Sequence, residues 1–292
     1  MFDIVLAFGD DDHSPGTSSS TSGRTLVRIR PTGALLSELL LVSALTIGLT
    51  MLVTWVISVV IDDASIVDIV WGLGFVLATW SAYLFAAVET TPRAVLALVL
   101  VTVWGLRLTG YLAWRNVGKG EDRRYQQMRK KSPDSFWLVS LWKVFGLQAV
   151  IMWVVAVPAV VSLGSSSPLW WLDYLGAGIW AVGLFFETVG DVQLARFKSK
   201  PGSKGQVMDS GLWRYTRHPN YFGDFCVWWG IYLAAAAGGA WWAIFSPLVM
   251  SALLMRYSGV GLLEKTITRR RPGYDEYALR TNAFFPGPPK VG

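Results

Sequence analysis

Apolar runs long enough to cross ~30 Å of hydrocarbon recur at roughly 35–61, 66–88, 93–114, 136–163, 169–195, 221–237 and 240–263. Polar or charged connections separate them, so the pattern predicts an all-α, polytopic membrane protein with about seven transmembrane helices, six being the alternative. The sixth run is the shortest, and AAAAGGA joins it to the seventh, which leaves room only for a tight helical hairpin. No internal repeat or soluble-domain boundary interrupts the pattern. Ahead of it, residues 1–32 are rich in Ser, Thr, Gly and Asp (GDDDHSPGTSSSTSGRT) and too poor in apolar side chains to pack, so disorder is expected there. The short apolar start IVLAF runs directly into acidic residues and lacks the core of a signal peptide. Residues 33–292 read as a single transmembrane domain.

Composition strengthens the bilayer reading: 53% of the 292 residues are hydrophobic, 16% are charged and 16 are tryptophan. With one cysteine (Cys226) and two histidines (His13 and His218), the chain can form no internal disulfide and no clustered Cys/His metal site. No metal is therefore expected. The net charge of +6 sits beside the spans, where it records topology, so no nucleic-acid partner is expected. Seven basic residues lie between Arg115 and Lys131, six between Arg196 and Arg217, and six beyond residue 263. The opposite side offers little besides Arg93. The positive-inside rule thus places the C-terminus in the cytoplasm, although Arg24, Arg28 and Arg30 oppose the external N-terminus that seven spans require. A bacterial inner membrane is the expected location, since no retention signal ends the chain. No obligate protein partner is evident.

Ionisable residues gather in the C-terminal half. At the end of the fifth run, FFETVGDVQLARFKSKPGSKGQ puts Glu187 and Asp191 on one helix face, a like-charge pair that needs compensation. Either Asp191 reaches the interface and meets Arg196 or Lys198, or this face lines a polar cavity where the carboxylates accept hydrogen bonds from a ligand. The stretch GLWRYTRHPNYFGD (211–224) follows. Pro219 suits the first turn of a helix capped by His218 or the residue before it, and Asn220, Tyr221 and Asp224 then fall in the first two turns. Exposed N–H groups with Arg214, Arg217 and His218 beside them make a phosphate site. An interfacial anchor of Trp, Tyr and Arg is the simpler alternative, but it gives no reason for Asn220 or Asp224. In the tail, Glu264 and Tyr277 are pocket candidates, while Arg269, Arg270 and Arg271 read as a topology signal.

The order "ET..D.Q...FK", "GLW.Y.RHPNYFGD", an apolar hairpin, then "LLEK....RPGY..Y...TN.F.P" resembles the DUF1295 family over roughly residues 60–290. That family is related to the steroid 5-alpha-reductases and the sterol C14 and C7 reductases, and more distantly to isoprenylcysteine and phospholipid methyltransferases. The resemblance implies a substrate cavity formed by residues 33–165 and a cofactor-binding half at 166–292. It also implies NADPH held without a Rossmann domain, and no GxGxxG is completed here. Carried over, Asp191, His218, Asn220, Tyr221, Asp224 and Glu264 match cofactor positions, with Glu187, Arg196, Lys198, Trp213, Arg214, Arg217 and Tyr277 as further candidates.

A reductase of this kind delivers a hydride to one carbon of a C=C bond and a proton to the other, with a donor at a conjugated carbonyl. In steroid 5-alpha-reductases a Glu/Tyr pair from the N-terminal half resembles that donor, and this sequence does not reproduce it plainly. Asp68, Tyr111 and Tyr83 are the substitutes. An aspartate buried in lipid would stay protonated and donate; alternatively, Asp68 is an interfacial acid continuing Asp62 and Asp63, or pairs with Arg107. Trp71, Trp80, Trp104, Trp153, Trp180, Trp228 and Trp229 could wall a flat cavity, or simply mark membrane boundaries. The expected activity is NADPH-dependent reduction of a double bond in a 3-oxo-steroid, a sterol or a lipid acyl chain. An S-adenosylmethionine-dependent methyltransferase and a non-catalytic lipid-binding protein are the alternatives.

Overall fold

The computed structural model describes residues 32–257 and 271–290, so the expectations for residues 1–31 and for Glu264 lie outside the described residues. The described chain forms helices α1 (Thr32–Val60), α2 (Ile66–Phe85), α3 (Pro92–Asn116), α4 (Arg123–Lys131), α5 (Phe136–Ser162) and α6 (Trp171–Ser199), followed by α7 (Pro219–Ala237), α8 (Trp241–Arg256) and α9 (Tyr274–Arg280). No strand occurs among the described residues. The chain is an all-helical, polytopic membrane protein. Helices α1, α2, α3, α5 and α6 are long and apolar enough to span a bilayer. Helices α7 and α8 stand where the sixth and seventh runs predict them, but α7 carries Asn220 and Asp224, and α8 is shorter over its described residues.

Local chemistry sets the boundaries. Thr91 caps α3, its hydroxyl accepting from the Ala94 N–H at 3.1 Å, and Pro92 occupies the first turn where its missing N–H costs nothing. The expected hairpin closes between Ala237 and Trp241, with Gly239 at φ +92°. Leu41, Leu45, Leu49 and Leu52 leave one side of α1 exposed, as a lipid-facing helix requires.

Glycines then decide how closely the helices approach. On α6, Gly176, Gly183 and Gly190 recur every seven residues and meet Gly230, Gly223 and Pro219 of the antiparallel α7. A Cβ on Gly183 would lie 2.5 Å from the Gly223 carbonyl oxygen, and one on Gly176 would lie 2.6 Å from that of Gly230. Small-residue contact of this kind replaces the hydrophobic drive that lipid removes. Gly72 and Gly105 do the same for α2 and α3. Where these pairs meet, Phe75, Trp104 and Trp228 fill the core, with ring centroids 4.6–5.5 Å apart. Trp104 and Trp228 are therefore packing residues and not cavity walls, because the close helix approach buries them at 0% and 1% exposure.

Near the start of α3, Arg93 is fully buried and paired with Asp173 of α6 through Nε at 2.9 Å and Nη2 at 2.8 Å. Its remaining donors reach the Ser165 hydroxyl, the Ser167 hydroxyl and carbonyl, and the Pro168 carbonyl. Arg93 thus fastens α3 to the α5–α6 connection rather than marking a polar surface.

Candidate functional site

The seam of α6 and α7 sets Glu187 and Asp191 beside Asn220 and Asp224. A Cβ on Gly223, one residue before Asp224, would lie 2.5 Å from the Glu187 nitrogen, so nothing larger permits this approach. Arg107 enters from α3 and binds both acids of α6: Nη1 reaches Glu187 at 2.6 Å, and Nη2 binds Asp191. The Trp104 indole donates to the other Glu187 oxygen at 2.9 Å, and Asn220 Nδ2 lies 3.4 Å from Asp191 Oδ1. Thus the cation that offsets the Glu187/Asp191 pair is Arg107, not Arg196 or Lys198. Asp224 adds a third carboxylate close enough to repel Glu187. Its buried Oδ1 and the Trp228 indole N–H are neighbours, and neither closes a hydrogen bond of ordinary length.

Glu187, Asp191, Asn220 and Asp224 line a cavity of about 400 Å³. Its polar wall includes Asp68, Tyr111, Arg115, Arg124, Tyr125 and Gln148, while Trp71, Leu108, Ile151, Met250 and Leu254 form an apolar wall. Helices from both halves of the chain contribute.

In the same lining, Asp68 accepts from Arg124 Nη2 at 2.6 Å and from the Tyr125 hydroxyl at 2.9 Å. Both Asp68 oxygens are engaged, and its arginine is Arg124 rather than Arg107. The donor in this pair is Tyr125. Burial, reinforced by the Asp68 carboxylate, pushes the Tyr125 phenol above its ordinary range and keeps it neutral. Gln148 Nε2 approaches the same hydroxyl at 3.5 Å. The sequence reading passed over Tyr125 because it lies in a connection whose basic residues read as topology. The spacing of Asp122, Arg124 and Tyr125, with Asp122 capping α4, was the available signal.

Of the sequence candidates, Asp68, Tyr111, Glu187, Asp191, Asn220, Tyr221 and Asp224 line this cavity together. Tyr111 lies between Arg107 and Arg115, whose guanidinium carbons are 5.4 and 5.5 Å from its ring centroid. Tyr83 does not join them, because it sits at the far end of α2 and its hydroxyl bonds to Thr90 at 2.5 Å. Trp213 is buried and donates to the Gly190 carbonyl at 3.1 Å, a helix-to-loop tie outside the lining. His218 is buried with its ring stacked on Tyr221, 5.5 Å between centroids, which positions a lining residue from behind. Its side chain makes no cap on α7. Arg217 reaches the Ala278 carbonyl at 3.4 Å, and Arg214 and Tyr277 line a different cavity. Arg196 is exposed and outside the lining. Lys198 lies near Arg115, Lys119 and Arg271, a cluster of like charges beside the cavity's Arg115. Among the described residues no group of three or more His, Cys, Asp or Glu side chains is placed to hold a metal ion.

The model of a family described as a protein of unknown function, DUF1295, matches residues 54–281. The chain is 25% identical to the uncharacterized protein C594.04c of Schizosaccharomyces pombe, over 80% of this chain and 76% of that one. It is 32% identical to the probable O-methyltransferase ustE of Ustilaginoidea virens, over 39% of this chain and 36% of that relative's length. Both relatives are eukaryotic, so the expectation of a bacterial inner membrane gains no support from them. No solved structure matches.

Proposed function

Because the chain belongs to the DUF1295 family, whose description states no activity, we propose from the site itself that this is an NADPH-dependent, membrane-embedded reductase of a C=C bond in a hydrophobic substrate. One observation carries the reading: a neutral tyrosine hydroxyl, Tyr125, bonded to the Asp68 carboxylate, shares one cavity with the amide and acids of Asn220, Asp191 and Asp224. That pairing is the Asp/Tyr counterpart of the Glu/Tyr donor in the steroid 5-alpha-reductases.

The residues present fit such a cofactor. The Asp224 Oδ1 and the Asn220 side chain offer an acceptor and an amide for a carboxamide or ribose hydroxyls. The cluster of Lys198, Arg115, Lys119 and Arg271 suits phosphate oxygens. When bound, NADPH supplies the hydride. The Tyr125 hydroxyl, whose one proton goes to Asp68 in the free site, turns it to the substrate carbonyl and stabilises charge that develops on its oxygen, and water supplies the proton taken up by the second carbon of the double bond. Asp68 orients that hydroxyl, and Arg124 fixes Asp68 from the other side. The wall of Trp71, Leu108, Ile151 and Leu254 excludes water and accepts an apolar body.

S-adenosylmethionine-dependent methyl transfer is the second reading. It draws on the name of the Ustilaginoidea relative and on the acids lining the cavity, which would accept a sulfonium cation. Thermal-shift titration of the detergent-purified protein against NADPH, NADH and S-adenosylmethionine separates the two. Stabilisation by NADPH that disappears in Asn220→Ala is expected; stabilisation by S-adenosylmethionine alone would replace the reductase reading with the transferase.

A further inference from the structure

A second cavity, of about 580 Å³, lies between the 209–214 loop and the C-terminal segment. Arg214, Arg280 and Lys290 line it, with Tyr277 and Thr281 buried in its floor. Elsewhere in the described structure Arg93, Arg107, Arg124 and Arg129 each hold a carboxylate. The three cations here form no ion pair among the described residues, and Asp209, the acid in the lining, bridges to none of them.

Their convergence is built by the backbone rather than left to loose tails. Lys290 N–H donates to the Arg280 carbonyl at 2.9 Å and Gly287 N–H to the Tyr215 carbonyl at 3.1 Å. The Thr216 hydroxyl donates to the Phe284 carbonyl at 2.7 Å, and the Tyr277 hydroxyl to the Trp213 carbonyl at 2.5 Å. The segment is thereby stitched over the loop with three like charges held around one space. Holding them there costs electrostatic energy that an anionic group offsets.

Along the chain beside these cations, Leu279 is 75% exposed, Phe285 56% and Tyr215 45%. In a membrane protein, apolar and aromatic side chains exposed next to cations mark the headgroup depth, where the apolar groups meet acyl chains and the cations meet phosphates. We propose that this cavity seats the phosphate ester of an anionic membrane phospholipid. The proposal is independent of the reductase reading, since it uses none of the residues around Asp68 and Asn220.

Native mass spectrometry of the full chain in detergent tests it, with phosphatidylglycerol, phosphatidylcholine, and inorganic phosphate or 2′-AMP as parallel titrants. The parent is expected to retain phosphatidylglycerol over phosphatidylcholine. Arg214→Gln with Arg280→Gln should weaken that binding by about fivefold per cation removed, and Arg214→Lys with Arg280→Lys should restore it. Lys290→Gln, on an exposed residue, gives an independent loss of about fivefold without touching the loop. Equal retention by parent and Gln variants overturns the proposal. So does displacement of the lipid by 2′-AMP or phosphate at comparable concentration, which would assign the seat to a soluble phosphate.

Discussion

Two arginines on α3 pair with acids of α6, one in the first turn of α3 and one past its middle, and they differ in what surrounds them. Arg93 faces one carboxylate, Asp173, with both side chains fully buried, and its other donors are taken up by Ser165, Ser167 and Pro168. Arg107, ~21 Å further along the helix, faces Glu187 and Asp191 with Asp224 behind them, and the group opens on a cavity. A balanced, closed pair holds helices together. An unbalanced, open one leaves polar capacity for something else, so charge count and access separate structure from function better than burial does.

The strongest test of that contrast is at the closed end. Arg93→Gln leaves Asp173 charged, buried and without its partner, which is expected to cost about 3–5 kcal/mol. Loss of the monodisperse folded species on size-exclusion in detergent would report it. A fully stable Arg93→Gln variant would mean that the closed pair is not what joins α3 to α6.

At the open end the largest effect should be on rate. Tyr125→Phe removes the donor while keeping its ring, and kcat is expected to fall by about 10²–10⁴-fold with the NADPH dissociation constant unchanged. Because burial and Asp68 raise the Tyr125 phenol, its acid form persists upward in pH. The rate of the parent should therefore show no alkaline limb from this group at or below the ordinary phenol value of about 10. A limb at lower pH, retained in Tyr125→Phe, would assign proton donation elsewhere, with Tyr111 next in line.

The seam gives a smaller, structural effect. Gly183→Ala puts a methyl 2.5 Å from the Gly223 carbonyl and 2.7 Å from the Val227 nitrogen, both backbone atoms that cannot swing aside. Separating α6 from α7 to admit it should cost about 1–3 kcal/mol and also weaken cofactor binding, since Glu187 and Asp224 lie along the same seam. Unchanged melting in that variant would mean that the helices slide freely.

The contrast also explains what could be read in advance. Asn220, Tyr221 and Asp224 were legible as neighbours because a helix start places them together within a few residues of chain, and Asp191 because it shares a helix face with Glu187. Arg107, inside the apolar run VWGLRLTG, was weighed as a partner of Asp68 and not of α6, although a lone cation at that depth and an unbalanced Glu187/Asp191 pair are complementary signals. Arg124 and Tyr125 were hidden for another reason, lying in a connection so basic that topology explained it. Tyr83 was included on residue type alone, and α2 carries it away from Asp68 by the helix's own length. Local sequence reports neighbours on one helix; pairing across 80 or so residues, as between Arg107 and Glu187, is tertiary information.

The smallest expected effect has the most diagnostic sign. Asp224→Asn keeps size and shape, but it removes one of three acids gathered around Arg107 and lowers the repulsion at Glu187. The same change at the closed end, Asp173→Asn, would strip Arg93 of its only carboxylate partner among the described residues. Melting should therefore rise or stay within about 1 kcal/mol for Asp224→Asn while it falls by several for Asp173→Asn. Ligand binding should move the other way, with NADPH stabilisation reduced in Asp224→Asn. Carboxylates kept at a cost in stability and needed for a ligand belong to a site, whereas loss of stability in both variants would make the Arg107 cluster a second fastener.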